Sequence, residues 1–288
     1  LRPVSVSVPV DSPGMHPSSV TQPERAATVG LRLLVPRENG SWAQLLIPLT
    51  VALASGETTA AAWLFAASAC LAFTASEPAR VLLGHRGLRR LRGQEALAAR
   101  NLGITGSAAV AAGALALAIA PESRVVALIP LAMCVPVLLV LQRHRERTVA
   151  GESLVAIVLC LAALPSAVIT IGPLMAAGCI GSLAIGFVLA TVAVKGVIAH
   201  RRRPTPLPIR VLRVASVAVV WACVCAMVPR EIAIGLICAL PISLLPITLW
   251  LFPPHPRHIR RIGWSLAAAS ILSAGLMIAA LRVLQTGN

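Results

Sequence analysis

Three short polar stretches in an otherwise apolar chain carry the residue types for charge-assisted binding. The first is PRENGSW, Pro36 to Trp42, where Arg37, Glu38 and Asn39 stand directly before a long apolar run that also holds Gln44. The second brings Glu77 and Arg80 to the end of another apolar run, and the third follows a run with Lys195, His200 and Arg201 to Arg203. Guanidinium and ammonium groups hold phosphate or carboxylate oxygens through charge-assisted hydrogen bonds. Arg37, Glu38, Asn39, Trp42, Gln44, Glu77, Arg80 and Lys195 are therefore the candidate ligand-binding set, expected to share a cytoplasm-facing polar pocket between helices. No residue is singled out as catalytic. PRENGSW also has a plainer account as a helix start: Pro36 precedes the helix, Asn39 or Ser41 caps it, Gly40 allows close approach, and Trp42 suits a membrane interface.

Other chemistries are poorly served. The seven cysteines all fall in apolar runs without a C-x-x-C pair, and Cys223 and Cys225 point about 200° apart around a helix. They read as small packing residues. All six histidines lie in loops or near the amino terminus, whereas a haem in a bundle needs axial histidines at membrane depth. His255 and His258 in HPRH have a spacing seen in metal sites, but the prolines and arginines around them favour a solvated loop. No metal and no cofactor is expected. The one aspartate, Asp11, precedes the apolar region, and no Glu, Lys or His sits well inside a run. Ion- and proton-driven transport usually needs such groups at depth, so it is disfavoured, although Gln44, Thr50, Ser68, Thr74, Ser166, Thr170 and Thr191 are neutral groups able to line a path.

The elements that position these residues follow from composition. Of 288 residues, 57% are hydrophobic and only 12% charged, with a mean hydropathy of +0.85; a soluble domain carries about 25% charged residues. This is the composition of a membrane protein. Apolar runs of about 20 residues suffice to cross a hydrocarbon core and satisfy their own backbone as helices. The pattern predicts an all-α, polytopic membrane helix bundle with about nine spans: 42–55, 60–76, 102–120, 125–141, 154–171, 174–194, 211–228, 232–252 and 262–281. Short turns such as Ile171-Gly172-Pro173 and Pro229-Arg230-Glu231 make neighbouring spans antiparallel. Residues 1–35, rich in Pro, Ser and Val, read as a disordered cytoplasmic lead-in, and the transmembrane helical domain as 36–284. The chain opens on Leu1 rather than Met, as a processed end or a misplaced start would.

Charge sets the expected orientation. Lys and Arg accumulate in cytoplasmic connections, and 22 of the 25 basic residues fall before the first span or in alternate connections, leaving Arg124, Arg230 and Arg282 for the other side. The amino terminus is therefore expected inside and the carboxy terminus outside, in a multi-pass protein of the cell membrane. The net charge of +15 sits in short loops beside apolar helices, with no interleaved aromatic residues for base stacking. Nucleic acid is not an expected partner. The expected partners are membrane lipids, above all anionic head groups, which attract such residues by about 1 kcal/mol each near the surface; no protein partner is read from the sequence.

Pro36-Arg37-Glu38-Asn39-Gly40-Ser41-Trp42, followed by an apolar span containing Pro48, resembles the opening of the YwiC-like family of bacterial multi-pass membrane proteins. That pattern runs Pro, a basic residue, Glu or Gln, His, Gly, any residue, Trp, so Asn39 stands where the family has His. The resemblance implies a membrane domain over about 34–281 and no particular activity. More distantly, the expected architecture resembles the UbiA-type prenyltransferase superfamily, whose Asp-rich motifs after the second and sixth helices hold Mg²⁺ against a prenyl diphosphate. Here the corresponding stretches read SEPARVLLGHRGLRR, with Glu77 alone, and VAVKGVIAHRRRP, with no carboxylate. Metal-assisted ionisation is not expected from them. The leading expectation is a protein without enzymatic activity that binds or moves a lipid-like amphipathic molecule. The alternatives are a divergent prenyl or lipid transferase and a structural partner of another membrane complex.

Overall fold

Backbone groups in hydrocarbon have no water to pair with, so apolar segments close their hydrogen bonds within themselves. In the computed structural model, which describes residues 34–36, 39–85, 88–142, 148–200 and 206–286, every regular element is helical. In chain order these are α1 (Asn39–Ala54), α2 (Ala60–Leu82), α3 (Leu88–Ile119), α4 (Arg124–Gln142), α5 (Val149–Leu161), α6 (Leu164–Ile171), α7 (Pro173–His200), α8 (Leu207–Met227), α9 (Arg230–Cys238), α10 (Leu240–Leu251) and α11 (Ile259–Thr286). Single 3₁₀ turns precede α4 and α11.

The nine expected spans all fall on these helices, two of them broken. The fifth is split into α5 and α6 around Ala162 and Ala163, with Pro165 in the first turn of α6. The eighth is split into α9 and α10 at Ala239, just before Pro241, and bends there by 53°. A proline lacks the N–H that would continue the ladder, so a helix restarts at it more readily than it runs through it. Among the described residues, seven helical segments are long and apolar enough to cross a membrane, α5–α6 among them, and eight if the bent α9–α10 pair is one span. α1, at 16 residues, is about 24 Å long and falls short of a hydrocarbon core roughly 30 Å thick.

Two expectations about connections change. The segment between the second and third spans, expected to be a basic loop, is mostly helix: α2 continues to Leu82 and α3 begins at Leu88. Arg80 and Arg100 therefore sit on helices that extend beyond their apolar stretches. In PRENGSW the helix already includes Asn39, which puts Ser41 in the first turn rather than at the cap. Arg37 and Glu38 lie outside the described residues, as does the lead-in apart from Leu34 and Val35.

The core forms around α7. Ile180, Leu183 and Phe187 of α7 pack with Leu45 and Leu49 of α1, Leu159 of α5, Ile242 of α10 and Met277 of α11. Because lipid tails are as apolar as leucine, packing in a membrane depends on close approach and on hydrogen bonds between helices. Gly178, Ser182 and Gly186 recur every four residues, hence on one face of α7, and all three are buried. Gly178 lies against Gly235 of α9 so closely that a Cβ on either would meet the other helix's backbone. Ser182 Oγ, 3.0 Å from the Gly235 carbonyl, donates across that crossing. At the break before α10, Ile242 N–H donates to Ser273 Oγ of α11 at 3.1 Å, which satisfies a first-turn donor left without a helical partner.

Contacts between helix ends show which ends lie together. Thr170 Oγ1 at the end of α6 donates to the Ala52 carbonyl (2.8 Å), and Arg282 Nε of α11 to the Ala54 carbonyl (3.0 Å), so α1, α6 and α11 finish side by side. At the opposite end, Trp42 of α1 meets Phe73 of α2, and the close of α7 meets the close of α10 and the start of α11 through Val197, Leu249 and Ile262. The start of α1 and the close of α11 are thus at opposite ends of the bundle.

Candidate functional site

The polar residues expected to form one pocket divide into two groups at the end of the bundle where α1 begins. In the first, Trp42 is half-buried: its ring meets Phe73 edge-on at 4.8 Å and 89°, and its indole Nε1–H donates to the Pro36 carbonyl at 3.0 Å. This bond anchors the segment ahead of α1, a packing task beyond the interfacial one expected of a tryptophan. Glu77 is one helical turn past Phe73, on the same face of α2, and is 6% exposed beside buried Pro78. Arg80, nearly one turn further, is half-buried. Gln44 is half-buried and its backbone carbonyl faces Cys160 Sγ of α5 at 3.6 Å. For Asn39 only the backbone is described, as the first helical residue. A further polar residue, Asn101 on α3, is 2% exposed, and Thr105 one turn on donates to its carbonyl at 2.7 Å. It stands just before the third expected span, 102–120, and was not among the candidate residues.

The second group surrounds Lys195. A cavity of about 1110 Å³ opens between the close of α7, the first half of α8, the end of α10 and the start of α5. Val192, Ile198, Val217, Leu249 and Trp250 give it apolar walls, Lys195 and Arg210 give it cationic groups, and His200 adds a polar ring. Among the described residues, neither α1 nor α2 contributes to its lining, so Lys195 is separated from the other expected site residues. Two contacts fix its charges. Lys195 Nζ is 2.7 Å from Glu152 Oε1, on the first turns of α5. Arg210 Nη1 donates at 2.7 Å to the carbonyl of Leu251, the last residue of α10, placing a cation where helix carbonyls lack partners.

Glu152 and Arg210 are the residues that sequence reasoning missed. Arg210 was counted only as a topological charge, and Glu152 was not singled out; it lies in the first turn of α5, which Thr148 caps by accepting from Gly151 N at 3.1 Å. A salt bridge joining two helices more than forty residues apart leaves no local periodicity by which to find it. Gly196, also on the cavity wall, has room for a side chain, since an added Cβ would meet only Trp250, at 3.7 Å.

The HPRH stretch is held by its own arginine. Arg257 N donates to His255 Nδ1 at 3.2 Å and Arg257 Nε to His258 Nε2 at 3.1 Å. Among the described residues no three His, Cys, Asp or Glu side chains gather closely enough to hold a metal ion.

Comparison with known proteins adds one relationship. No curated protein and no solved structure matches the chain. The cavity lies mostly beyond the region that does find a relative, since α7, α8 and α10 all follow residue 167. Residues 35–167, from just before the PRENGSW opening through α1–α5 and into α6, match the family described as YwiC-like protein, so this stretch of the chain is similar to that family.

Proposed function

We propose that this multi-pass membrane protein resides in a bacterial cell membrane and binds or moves a lipid-like amphipathic molecule through the cavity between α5, α7, α8 and α10. The observation that carries this reading is the pairing, in one space of about 1110 Å³, of apolar walls with Lys195, His200 and Arg210. Small-molecule sites occupy roughly 300–1,000 Å³ and combine an apolar lining with a few placed polar groups. An amphipathic molecule matches both parts; a soluble metabolite would leave the walls unused. The basic residues of alternate connections support a cytoplasmic location for the cavity mouth, with the amino terminus on the same side. Trp42, Gln44, Glu77 and Arg80 serve in this reading as supports for the α1–α2 corner.

Gly196→Leu tests it. The substitution fills the cavity while favouring the helix, by about 0.8 kcal/mol at an exposed site. Native mass spectrometry of the wild-type protein from its own membranes should show a retained amphiphile, which Gly196→Leu should lose without a fall in melting temperature. A wild-type protein that carries no amphiphile, or a variant that keeps it, rejects the reading. Reporter fusions near His85 and Arg202 should both report the cytoplasm; opposite sides would remove the orientation. A magnesium-dependent stabilisation by a prenyl diphosphate would instead favour transfer chemistry.

A further inference from the structure

The cavity's charge count points to the kind of head group it takes, given the reading of that cavity as an amphiphile site, on which this inference rests. Lys195 and Arg210 contribute two positive charges, and the Glu152 carboxylate, 2.7 Å from Lys195 Nζ, removes one. His200 adds a polar ring to the lining. Among the described residues the balance is a single net positive charge beside apolar walls. A partly desolvated space penalises any charge left unmatched, so a guest with one negative charge suits it better than a zwitterion or a dianion.

Arg210 supplies a second, independent observation. Its Nη1 is committed to the Leu251 carbonyl, but its Nε is buried and has no hydrogen-bond partner among the described residues. A buried donor on a charged group is costly to leave unsatisfied, and an acceptor oxygen in the cavity would complete it. A phosphate oxygen is a suitable acceptor, because guanidinium donors and phosphate match in geometry and charge.

We propose that the cavity takes the monoanionic phosphodiester head group of a glycerolipid, with an acyl chain along Val192, Ile198, Val217 and Leu249, and that Glu152 sets the charge it accepts. Glu152 is a specificity-determining residue here: it neutralises part of the rim and repels a second negative charge. Free phosphate shares the head-group chemistry but leaves the apolar walls empty.

Wild-type protein and variants, incubated with equal amounts of phosphatidylglycerol (one negative charge), phosphatidylcholine (zwitterionic) and phosphatidate (a phosphomonoester able to carry two), are read by native mass spectrometry. The wild-type protein should retain phosphatidylglycerol over phosphatidylcholine by about tenfold, because the choline cation meets a lining that already carries net positive charge. Glu152→Gln should shift the preference toward phosphatidate. Arg210→Gln should bring the phosphatidylglycerol to phosphatidylcholine ratio close to one, whereas Arg210→Lys should keep most of the preference and show that charge, not the fold of α8, was lost. Millimolar inorganic phosphate should fail to displace the lipid. Equal retention of all three lipids by the wild-type protein, an unchanged order in Glu152→Gln, or displacement by inorganic phosphate would each overturn the head-group assignment. Failure of selectivity with lipid still lost in Gly196→Leu sinks this inference alone. Lipid kept in Gly196→Leu sinks the cavity reading and this inference with it.

Discussion

α7 and α8 follow one another in the chain and have similar mean hydropathies, 2.2 and 1.9 over their most apolar windows, yet they occupy opposite extremes of the bundle. More than half of the α7 window is buried, 56%, and none of the α8 window is. α7 presents Gly178, Ser182 and Gly186 to α9 and α10, while α8 presents Val211, Leu212, Val219, Val220 and Met227 outward. Hydropathy therefore reports that a helix belongs in lipid and is silent on whether other helices surround it. Small residues carry that second message, because they let backbones come close enough for dispersion and interhelical hydrogen bonds to act.

The contrast can be broken most severely at the glycine crossing. Gly178→Leu or Gly235→Leu forces a side chain into the opposing backbone, where nothing can rotate away. The expected loss is at the upper end of the overpacking range, about 3 kcal/mol or more, seen as a large fall in melting temperature in detergent or as absence of folded protein. Gly275→Leu on α11, whose added Cβ would have no neighbour within 4 Å, should change little. Similar losses at both sites would mean that crowding between α7 and α9 is not what holds the centre.

A smaller effect is expected at Gly186, where the nearest atoms to an added Cβ all belong to the side chain of Ile242 rather than to backbone. Gly186→Ala should cost about 1–2 kcal/mol, and Ile242→Val should recover part of it in the double variant. Strict additivity of the two changes in unfolding experiments would deny the contact. Ser182→Ala removes the one hydroxyl donor that the Gly235 and Cys179 carbonyls share and should cost about 0.6 kcal/mol, the average for hydrogen bonds between membrane helices. Smallest of all, Leu212→Val and Val219→Ala on the outer face of α8 should alter stability by no more than about 0.5 kcal/mol. A marked loss there would mean that another protein surface, rather than lipid, covers α8.

Glu152 and Lys195 offer a check that spans both helices' neighbourhoods. Their side chains are 38% and 32% exposed, and pairs this accessible contribute only about 0–1 kcal/mol. Glu152→Gln should accordingly leave the melting temperature almost unchanged, so that any altered lipid preference is a property of the cavity's charge.

Much of the architecture was legible in the chain, and for particular reasons. The runs that became α2, α4, α7, α8 and α11 are long and uninterrupted, and a helix is the one way for such a run to satisfy its backbone in lipid. The breaks at Ala162–Ala163 and Ala239 were missed because Pro165 and Pro241 look the same in sequence as Pro48 and Pro78, which lie inside continuous helices. Whether a proline kinks a helix or restarts it depends on what rescues the freed backbone groups, and at Ile242 the rescuer, Ser273, is 31 residues away. The site was less legible. PRENGSW attracted attention through its density of polar residues, but Trp42 proved to be tied to Pro36 and Phe73, while the cavity formed around Lys195 with Glu152 and Arg210 from helices that the sequence could not place beside it.

By itself the sequence determined that this chain is an all-helical membrane protein and roughly where its helices run. Those properties depend on apolar content and run length, which are sums over neighbouring residues. Only the tertiary structure decided which helix is central, which faces lipid, and which charges share a cavity, because these depend on distances between residues far apart in the chain. Composition can require that Lys195 find a counter-charge; it takes the packing of α5 against α7 to make that partner Glu152.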